Sequence, residues 1–563
     1  MTMQLSLLIS GFLVITTITN SLAQQMEKLD RGTVALTKGK GRVFISWRLL
    51  KEDPEDIKFD IYRLEIGKEE FEKLNSSPVG RTCFMDIGAM DGGAYRYKVV
   101  TAGMDHQLEL HSAYVFVFGY ERPYLSLKLK GNKTVRNVGI ADLDGDGRYD
   151  YTVKYPNFNV DPYEQEGYWK RSPEPFHLEA YDADGKFMWN YNMGWSIETG
   201  VWYSPYMVFD IDQDGRAEVY AKAGEGDPRQ MDGHVVDGPE YLVKIDGMTG
   251  KIIEKIPWLS RDGFERYNFW CRNFLTLAYL DGKSPSVIIQ RGTYTIIKTA
   301  AYHKDLSQQW YWESSGEYES YKGKGQHSLM SADIDEDGRD ELIIGSAALD
   351  DDGVPLWCTG LGHNDGGHIG DIDPGRPGLE IFYGIEKSIP RYGVCLVEAR
   401  TGKIIWGYEG STVHVHGQGM AGDIDPNYPG MECYAGEAKG GSKYFLYSAE
   451  GERLSDESMG TLNPYPVWWD SDEIKELVVN DKLTRYPDHE ILQLDGRVIF
   501  VGDIIGDWRE EIITSLRGEL RIYSTSEMTD TRKITLAQDR QYRLGLSRST
   551  MGYYAPPQLG ISK

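Results

Sequence analysis

The sequence predicts an all-β protein in which an N-terminal fibronectin-III-like β-sandwich is followed by a β-propeller. Two observations predict the propeller: a nine-residue acidic motif recurs along the chain, and hairpin-forming segments lie between its copies. A third observation predicts the sandwich, because short alternating strands without that motif occupy the residues before the first copy.

The first element, residues 1–23, has the pattern of an export signal. A mostly apolar run from Leu5 to Ile18 ends near Ala23, in a small-x-small sequence typical of signal peptidase cleavage. A membrane anchor is the alternative, but the run is short for a spanning helix. We therefore predict a secreted or periplasmic protein that has no membrane association once the signal is removed.

Residues 24–118 form the predicted sandwich. Segments 40–47, 59–63 and 94–100 alternate apolar and polar side chains and include a tryptophan and a tyrosine pair. No group of residues suited to catalysis lies within them, so we expect a structural or docking role.

Residues 119–563 form the predicted propeller, and three well-matched copies of the acidic motif lie at 142–150, 210–218 and 333–341. Each copy has carboxylates at its first, third and fifth positions, a glycine at the sixth for a sharp turn, and an acid at the ninth. Calcium prefers such oxygen-rich sites. The predicted ligands are Asp142, Asp144, Asp146, Asp150, Asp210, Asp212, Asp214, Glu218, Asp333, Asp335, Asp337 and Glu341.

These loops are not EF-hands, because Val153 and Ile344 stand where an EF-hand requires glutamate and the residues that follow favour strands. Looser copies begin near 280, 371, 423 and 503, which makes seven units. They add the predicted calcium ligands Asp371, Asp373, Asp423, Asp425 and Asp503. Blades of about 50 residues predict an eight-bladed propeller, although seven blades also fit. A solenoid is the alternative, but its repeats are shorter and more even.

The charge and cysteine content exclude some classes of partner. The net charge of −25 and the lack of a basic stripe argue against nucleic acid. About seven divalent ions would offset more than half of that charge, so an acidic polysaccharide is not excluded. The five cysteines are scattered and odd in number, which does not indicate a disulfide framework. We expect a monomer.

The sandwich, the order of the loops and the motifs at 278–282, 290–294, 362–371 and 506–511 resemble the rhamnogalacturonan lyases of family 11, which are built on an eight-bladed propeller. The resemblance runs from about residue 30 to the C-terminus. It implies a calcium-dependent polysaccharide lyase that cleaves the rhamnogalacturonan I backbone of pectin by β-elimination at galacturonate.

The resemblance also implies an active-site calcium ion at His327, His363, Asp365 and Glu386. Such an ion would neutralise the uronate carboxylate while a base removes the proton at C5. Histidine is an unusual calcium ligand, and hydrogen-bonded core histidines are the alternative.

The chain departs from the family pattern where the base is expected. Gln418 stands in a Gly-Gln-Gly sequence where the pattern has Gly-Arg-Gly, and Arg497 lies in the region of a Gly-Thr-Lys pattern. His414, His416 or Arg497 could act as the base, since histidine titrates near neutrality. Either the base is one of these or the protein binds pectin without cleaving it.

The resemblance suggests further roles for four residues. Tyr553 is expected to face the sugar, and Gln418 to contact it. Arg272 and Arg291 are expected either to bind a substrate carboxylate or to pair with a loop acid. A hydrolase acting through paired carboxylates is a third possible function.

Overall fold

The computed structural model describes residues 27–104, 111–163, 168–197, 199–200, 202–438 and 442–561. The predicted signal at 1–23 lies outside the described residues and stays a prediction. Within the described ranges, none of the helices combines the length and apolar character needed to cross a membrane.

The N-terminal domain contains two antiparallel sheets, ordered β1-β2-β5 and β4-β3-β6-β7. Its core includes the fully buried Trp47, whose ring packs edge-on against Phe59 at 5.4 Å. The strands are β1 (Val34–Gly39), β2 (Arg42–Ser46), β3 (Phe59–Glu65), β4 (Glu72–Lys73), β5 (Cys83–Asp86), β6 (Ala94–Thr101) and β7 (Ala113–Phe116).

The described part of the remaining chain forms eight four-stranded antiparallel sheets. The strands of the first four sheets are β9 (Asn137–Ala141), β10 (Asp150–Tyr155), β11 (His177–Tyr181) and β12 (Phe187–Asn192); β13 (Tyr206–Phe209), β14 (Glu218–Gly224), β15 (Glu240–Ile245) and β16 (Ile252–Pro257); β17 (Asn273–Ala278), β18 (Ser286–Arg291), β19 (Lys298–Tyr302) and β20 (Gln308–Glu313); and β21 (Gly325–Ala332), β22 (Glu341–Gly345), β23 (Ala347–Leu349) and β24 (Pro355–Cys358).

The other four sheets continue in chain order, except that a strand from before the first sheet, Tyr124–Lys128, pairs with the strand Glu519–Tyr523 in the last one. Their strands are β25 (Asn364–Gly370), β26 (Glu380–Ile385), β27 (Val394–Glu398) and β28 (Ile404–Gly407); β29 (Val415–Gly422), β30 (Glu432–Glu437), β31 (Tyr444–Tyr447) and β32 (Arg453–Ser455); β33 (Tyr465–Val467), β34 (Glu476–Val479), β35 (Lys482–Arg485) and β36 (His489–Gln493); and β37 (Arg497–Gly502), β38 (Glu511–Leu516), β39 (Glu519–Tyr523) and β8 (Tyr124–Lys128).

The first strands of the sheets form a closed ring. Each contacts the first strand of the next sheet, and β37 of the last sheet contacts β9 of the first. This radial order, with strand β8 completing the last sheet, is a β-propeller. The predicted all-β class, with a sandwich before the propeller, is confirmed.

Two faces of the propeller differ in chemistry. The acidic loops follow the first strands, for example between β9 and β10, and lie at the face that we call the loop face. The starts of the first strands meet at the opposite face, which we call the entry face. There the amide of Asn273 donates to the carbonyl of Trp202, and Arg497 donates to the carbonyl of Val135.

Tryptophans in outer strands connect neighbouring sheets. The indole of Trp357 in β24 donates to the carbonyl of Ala399 in the next sheet, at 2.9 Å, and lies against Gly402, whose φ is +67°. A Cβ at that glycine would lie 2.5 Å from the indole. Equivalent indole bonds run from Trp189, Trp310 and Trp406 to the carbonyls of Gly247, Asp351 and Ala449.

Short helices lie between and after the strands. The C-terminal helix α2 contacts the first strands β9, β13 and β17, and so packs against the inner strands of the first three sheets. The helices are α1 (Tyr267–Trp270), α2 (Arg540–Ser547) and 3₁₀ turns at Gly316–Tyr321, Leu536–Gln538 and Arg548–Thr550.

The count of seven acidic units is wrong, because the seventh sheet has an eighth connection of the same kind. It runs from Asp470 to Glu476 between β33 and β34. It lacks the glycine and one aspartate, and the guanidinium of Arg485 pairs with both Asp470 and Glu476. An arginine charge thus lies between carboxylates that resemble the predicted cation ligands.

Candidate functional site

The well-matched acidic loops bring together only some of their predicted ligands. Oxygens of Asp142, Asp144 and Asp146 lie within 4.8 Å of one another. Asp150 instead accepts a hydrogen bond from the amide of Leu143 at 2.8 Å. The first loop therefore offers three convergent carboxylates.

The second and fourth sheets use a different trio, made by the first, third and ninth loop positions. The two groups are Asp210, Asp212 and Glu218, and Asp333, Asp335 and Glu341. Asp214 and Asp337 at the fifth position accept hydrogen bonds from the amides of Arg216 and Arg339. Lys244 also lies 3.1 Å from Glu218, so a lysine competes with a cation there.

Among the looser loops, Asp371, Asp423 and Asp503 each have a buried carboxylate oxygen without a hydrogen-bond partner in the described chain. Asp373 and Asp425 lie beside them and accept bonds from the amides of Gly375 and Asn427. Buried unpaired carboxylate oxygens are costly, and a divalent cation would satisfy them. The loop face thus fits oxygen-bound cations such as calcium.

Burial strongly perturbs the loop carboxyls. It raises the pKa of Glu341 to about 9, despite a hydrogen bond from the amide of Ile334 that lowers it. It raises the pKa of Asp150 and of Glu218 to about 8. Without a cation, these groups hold protons near neutral pH.

The entry face carries a second and different cluster, which we call the histidine cluster: His327, His363, Asp365, Glu386, His414 and His416. These residues come from three neighbouring sheets. His327 lies in β21, Asp365 in β25 and His416 in β29, each near the start of its strand. The other three residues lie just outside strands of the same sheets.

The four residues predicted as active-site metal ligands do converge. Ligand atoms of His327, His363, Asp365 and Glu386 lie within 4.8 Å of one another. His363 Nε2 is 2.9 Å from Glu386 Oε2, and His327 Nε2 is 3.4 Å from Asp365 Oδ1. All but Glu386 are buried.

The hydrogen bonds of the cluster leave donor atoms suited to a cation. His363 Nδ1 lies 2.6 Å from the carbonyl of Gly325, so this nitrogen carries the proton. In neutral His363 the Nε2 lone pair then faces a carboxylate oxygen, an arrangement that a bound cation stabilises. Asp365 Oδ1 is buried and has no hydrogen-bond partner in the described chain.

The electrostatics also favour metal binding. Burial, followed by the nearby charges of His363, Arg272 and His416, holds the pKa of His327 well below its ordinary value, so this imidazole is neutral. Burial opposes ionisation of Glu386, but His363 and His414 outweigh it and lower the pKa of Glu386 to about 2. The imidazole of His327 and the carboxylate of Glu386 therefore have the protonation states of metal ligands.

Asp365 also connects the predicted ligands to the predicted base. Its Oδ2 lies 2.8 Å from His416 Nδ1 and accepts a 2.5 Å hydrogen bond from the amide of Gly417. His414 Nε2 lies 3.1 Å from His416 Nδ1 and 3.5 Å from Glu386 Oε1. The side chain of His416 is 32% exposed, the most of the six.

Gln418 and Tyr553 lie beside the cluster. Gln418 follows His416 in β29, between two glycines with positive φ at a register shift, and its amide donates to Asn463 Oδ1. The ring of Tyr553 is 5.2 Å from that of His327. The ring of Tyr553 therefore lies at the histidine cluster, whereas only backbone contacts place Gln418 nearby, and its contact with substrate stays a prediction.

Arg272 is at the site, whereas Arg291 is not. The Arg272 guanidinium lies over the rings of Trp202 and Tyr294 and pairs with Asp161 at 3.3 Å. Its Nε and Nη1 are buried without a hydrogen-bond partner in the described chain, as expected of a group that binds an anion.

The assignment of Arg291 to substrate binding is wrong. Its side chain is fully buried, pairs with Glu240 and donates to the carbonyl of Trp270 at 2.6 Å. Of its two predicted roles, the structure shows the ion pair with an acid.

Arg497, the remaining predicted base, is also on the entry face. In the part of the chain that the structure describes, it forms no ion pair with a residue of the histidine cluster. It begins β37 in the eighth sheet, and its Nη2 donates to the carbonyls of Val135 and Arg136.

Sequence reasoning missed Tyr294, whose hydroxyl is 3.0 Å from His327 Nε2 and whose ring lies 4.5 Å from that of His363. It follows Arg291 by three residues in one of the motifs that carried the family resemblance, which is the signal that could have found it. Burial raises the pKa of Tyr294, so its hydroxyl stays protonated.

Two family models match the chain. Residues 24–115 match the β-sheet domain of rhamnogalacturonan I lyases, and residues 130–562 match the C-terminal domain of rhamnogalacturonan lyase family 11.

Curated relatives and solved structures agree with these matches. The chain is 35% identical to rhamnogalacturonan endolyase YesW of Bacillus subtilis (strain 168), over 98% of this chain and 93% of the relative. It is 33% identical to rhamnogalacturonan exolyase YesX of the same organism, over 95% and 94%. The crystal structure of YesW superposes with a TM-score of 0.85 at 33% identity, covering 96% of this chain and 97% of that one. For the Bacillus licheniformis rhamnogalacturonan lyase PL11 the TM-score is 0.84, with the same identity and coverages.

Proposed function

The chain belongs to rhamnogalacturonan lyase family 11, and we propose that it cleaves the rhamnogalacturonan I backbone of pectin by β-elimination at galacturonate, with a divalent cation at the histidine cluster. The observation that carries the proposal is the convergence of His327, His363, Asp365 and Glu386 beside a carboxylate-paired His416.

Elimination removes the proton at C5 of galacturonate and breaks the bond from C4 to the glycosidic oxygen. The electrons of the C5–H bond form the C4–C5 double bond, and the leaving oxygen takes up a proton. The difficulty is that negative charge develops at C5 beside a carboxylate. A bound divalent cation would supply charge neutralisation at that carboxylate.

His416 is the proposed base, and Asp365 is the residue that positions it. A carboxylate 2.8 Å from Nδ1 fixes the orientation of the ring and leaves Nε2 as the nitrogen that can take up a proton. The exposure of His416 gives substrate access to the ring. Glu386, His363 and His327 would hold the cation beside it.

Tyr294, Tyr553 and Arg272 complete the proposed site. Burial keeps both phenols protonated, so each can donate a hydrogen bond to a sugar oxygen. Arg272 offers two unpaired nitrogens to an anionic group of the substrate.

The test is the absorbance of unsaturated uronate during incubation with rhamnogalacturonan I. We expect absorbance to rise with a divalent cation present, to stop after chelation, and to return when calcium is added. Saturable binding to the polymer without any rise, at any cation concentration, would select the alternative of a non-catalytic pectin-binding protein.

We also propose that calcium occupies the acidic loops and that the protein is exported. The unpaired buried loop oxygens support the first point. The apolar sequence before residue 24 supports export. Elemental analysis of the purified protein and N-terminal sequencing of the exported protein test the two points.

A further inference from the structure

A cleft lies where the N-terminal sandwich meets the propeller, and we call it the junction cleft. Strands β1 and β7 of the sandwich line one side, and β8 of the eighth sheet and the turn at 183–185 of the first sheet line the other. Its volume of about 360 Å³ is within the range of about 300–1,000 Å³ that is typical of small-ligand pockets. Ile505, in the acidic connection of the eighth sheet, also lines the cleft. The cleft therefore lies toward the loop face, whereas the histidine cluster lies on the entry face.

One wall of the junction cleft carries a row of aromatic rings. In β7 and the residues that follow it, Val115 and Val117 are buried in the core of the sandwich. Successive side chains of an extended chain point to opposite sides, so the aromatic residues at 114, 116 and 118 face away from that core. All three line the cleft. Tyr114 is 55% exposed and Phe116 is 41% exposed.

The rings of this row lie next to one another. The ring centroid of Phe118 is 5.0 Å from that of Phe116 and 5.3 Å from that of Tyr120, which is 64% exposed. Single exposed apolar side chains are normal, but a contiguous row of them marks a binding surface. The flat face of an aromatic ring buries the apolar C–H face of a sugar ring, and tyrosine adds a hydroxyl for hydrogen bonding. The row is therefore suited to a saccharide.

Arg122 supplies a positive charge beside the aromatic row. Its guanidinium carbon lies 5.2 Å from the ring centroid of Phe118 and 4.5 Å from that of Tyr124. Its Nε is buried and has no hydrogen-bond partner in the described chain. The adjacent acid, Glu121, pairs with Lys38 at 2.5 Å instead. A buried guanidinium nitrogen without a partner raises the free energy of the folded state, and an anionic ligand would supply the missing acceptor.

The acids that line the junction cleft are already neutralised. Asp30 pairs with Arg48 at 3.3 Å, and Asp184 pairs with Arg148 at 2.9 Å. Three arginines and two aspartates line the cleft, so its formal charge is positive in a chain whose net charge is −25. Among these five charged residues, Arg122 is the one that forms no ion pair within the described ranges. Charge complementarity therefore favours an anionic ligand.

We propose that the junction cleft binds an acidic saccharide, whose sugar faces pack on Phe116 and Phe118 and whose carboxylate pairs with Arg122. The cleft and the histidine cluster lie toward opposite faces of the propeller, so the cleft holds polymer and takes no part in cleavage. A second copy of this chain is disfavoured as the occupant, because two chains of charge −25 repel each other. The class of ligand rests on the cleft alone, whereas the choice of a galacturonate polymer rests on the proposed function.

The experiment measures binding to immobilised rhamnogalacturonan I by depletion of protein from solution. Every protein carries His416→Ala, so that the polymer stays intact under the proposed function. We expect Arg122→Gln to raise the apparent Kd about tenfold, because it removes a charge-assisted pair with carboxylate. We expect Phe116→Ala to raise it about threefold to tenfold, because it removes apolar contact area.

Two matched variants are the controls. Arg400→Gln removes the same charge from an exposed turn between β27 and β28 of the fifth sheet, and Tyr311→Ala removes a 46% exposed ring from β20 of the third sheet. Both should bind as their parent does. Thermal unfolding of each variant checks that the fold is intact.

A neutral polymer separates the two parts of the site. On rhamnogalacturonan I whose uronates have been reduced to neutral sugars, Arg122→Gln should bind as its parent does, while Phe116→Ala should still bind more weakly. If Arg122→Gln weakened binding equally on both polymers, the pairing of Arg122 with carboxylate would be refuted.

Failure of this inference and failure of the proposed function give different results. Unchanged affinity of both Arg122→Gln and Phe116→Ala for the acidic polymer would overturn the saccharide site and leave the lyase proposal standing. A protein that produces no unsaturated uronate but binds the polymer through Arg122 would refute the lyase proposal and support the site. Sedimentation tests the other occupant: self-association that Phe116→Ala abolishes, at unchanged polymer affinity, would show that a second copy fills the cleft and would refute the inference.

Discussion

At the scale of single residues, Asp365 joins the proposed metal ligands to the proposed base. Its Oδ1 faces His327, while its Oδ2 holds His416 and the amide of Gly417. The positive φ of Gly417 allows the bulge that brings this amide to the carboxylate, and a Cβ there would lie 2.6 Å from Asn463 Oδ1. One buried carboxylate thereby fixes the positions of a ligand and of the proposed base.

This arrangement predicts the effect of removing the base. We expect His416→Ala to lower kcat about 100- to 10,000-fold, the range for loss of a general base, with a small change in KM. The absorbance assay on rhamnogalacturonan I measures it. His303→Ala, at an exposed turn between β19 and β20, is the control and should retain full activity. Equal activity of both variants would show that another residue is the base.

At the scale of elements, the propeller depends on contacts between neighbouring sheets. The bond from Trp357 to Ala399 requires the indole to lie over a turn that has no side chain at Gly402. The same pairing of a tryptophan with a glycine recurs at Trp189 and Gly250, Trp310 and Gly353, and Trp406 and Gly451. Repeated sheets are therefore held together by a repeated contact.

Gly402→Ala should destabilise the protein more than Gly316→Ala. Both glycines have positive φ, so each alanine costs about 1 kcal/mol or more of backbone strain. Only at Gly402 does the new Cβ also meet an indole, at 2.5 Å, whereas nothing lies within 4 Å at Gly316. We expect an additional loss of about 1–3 kcal/mol in the free energy of unfolding. Urea denaturation measures it, and equal losses would contradict the contact.

In the seventh sheet, stability is expected to depend on the ion pairs of Arg485. Because Arg485 pairs with Asp470 and Glu476, we expect Arg485→Ala to leave two nearby carboxylates without a counter-charge and to lower the free energy of unfolding by about 1–3 kcal/mol. Added calcium should recover part of that loss, since the variant loop then resembles the cation loops. Thermal unfolding with and without calcium tests this, and a loss that calcium does not alter would count against it.

At the scale of the whole molecule, acidity and cation binding are coupled. Burial raises the pKa of Glu341 from 4.5 to about 9 in metal-free protein. Between these two pH values, the folded state therefore keeps a proton on Glu341 that the unfolded state has released. Its contribution to stability is fully present below the unfolded value and is lost as the pH rises through the folded value.

Metal-free protein should therefore lose stability as the pH rises from about 5 to about 9, while the calcium-loaded protein loses less. In the calcium-loaded protein the loop carboxylates are ionised and bound to the cation, so bound protons no longer contribute to the free energy of unfolding. Thermal unfolding across this pH range, with chelator and with calcium, measures the difference. If the stabilities of the two forms changed with pH in parallel, the loops would bind no cation.

The sequence was sufficient for features that depend on neighbouring residues. The acidic loops are local motifs, so the propeller and most of its connections could be predicted. The connection at Asp470 was missed because it lacks the glycine and one aspartate of the motif, and its counter-charge, Arg485, comes from another strand. Arg272 and Arg291 are both buried arginines near the start and the end of one hairpin, and only the fold decides that Glu240 pairs with the second.

The histidine cluster shows the same limit. Its members come from three sheets, and no spacing in the sequence brings His327 to Asp365 or His416, so the family resemblance was needed to group the predicted ligands.

The central claim is that the histidine cluster catalyses elimination. Digestion of rhamnogalacturonan I in water enriched in heavy oxygen, followed by mass spectrometry of the products, tests it most directly. Elimination breaks the bond without adding water, so we predict unsaturated products that carry no heavy oxygen. Saturated products with one heavy oxygen at the new reducing end would show hydrolysis and contradict the account.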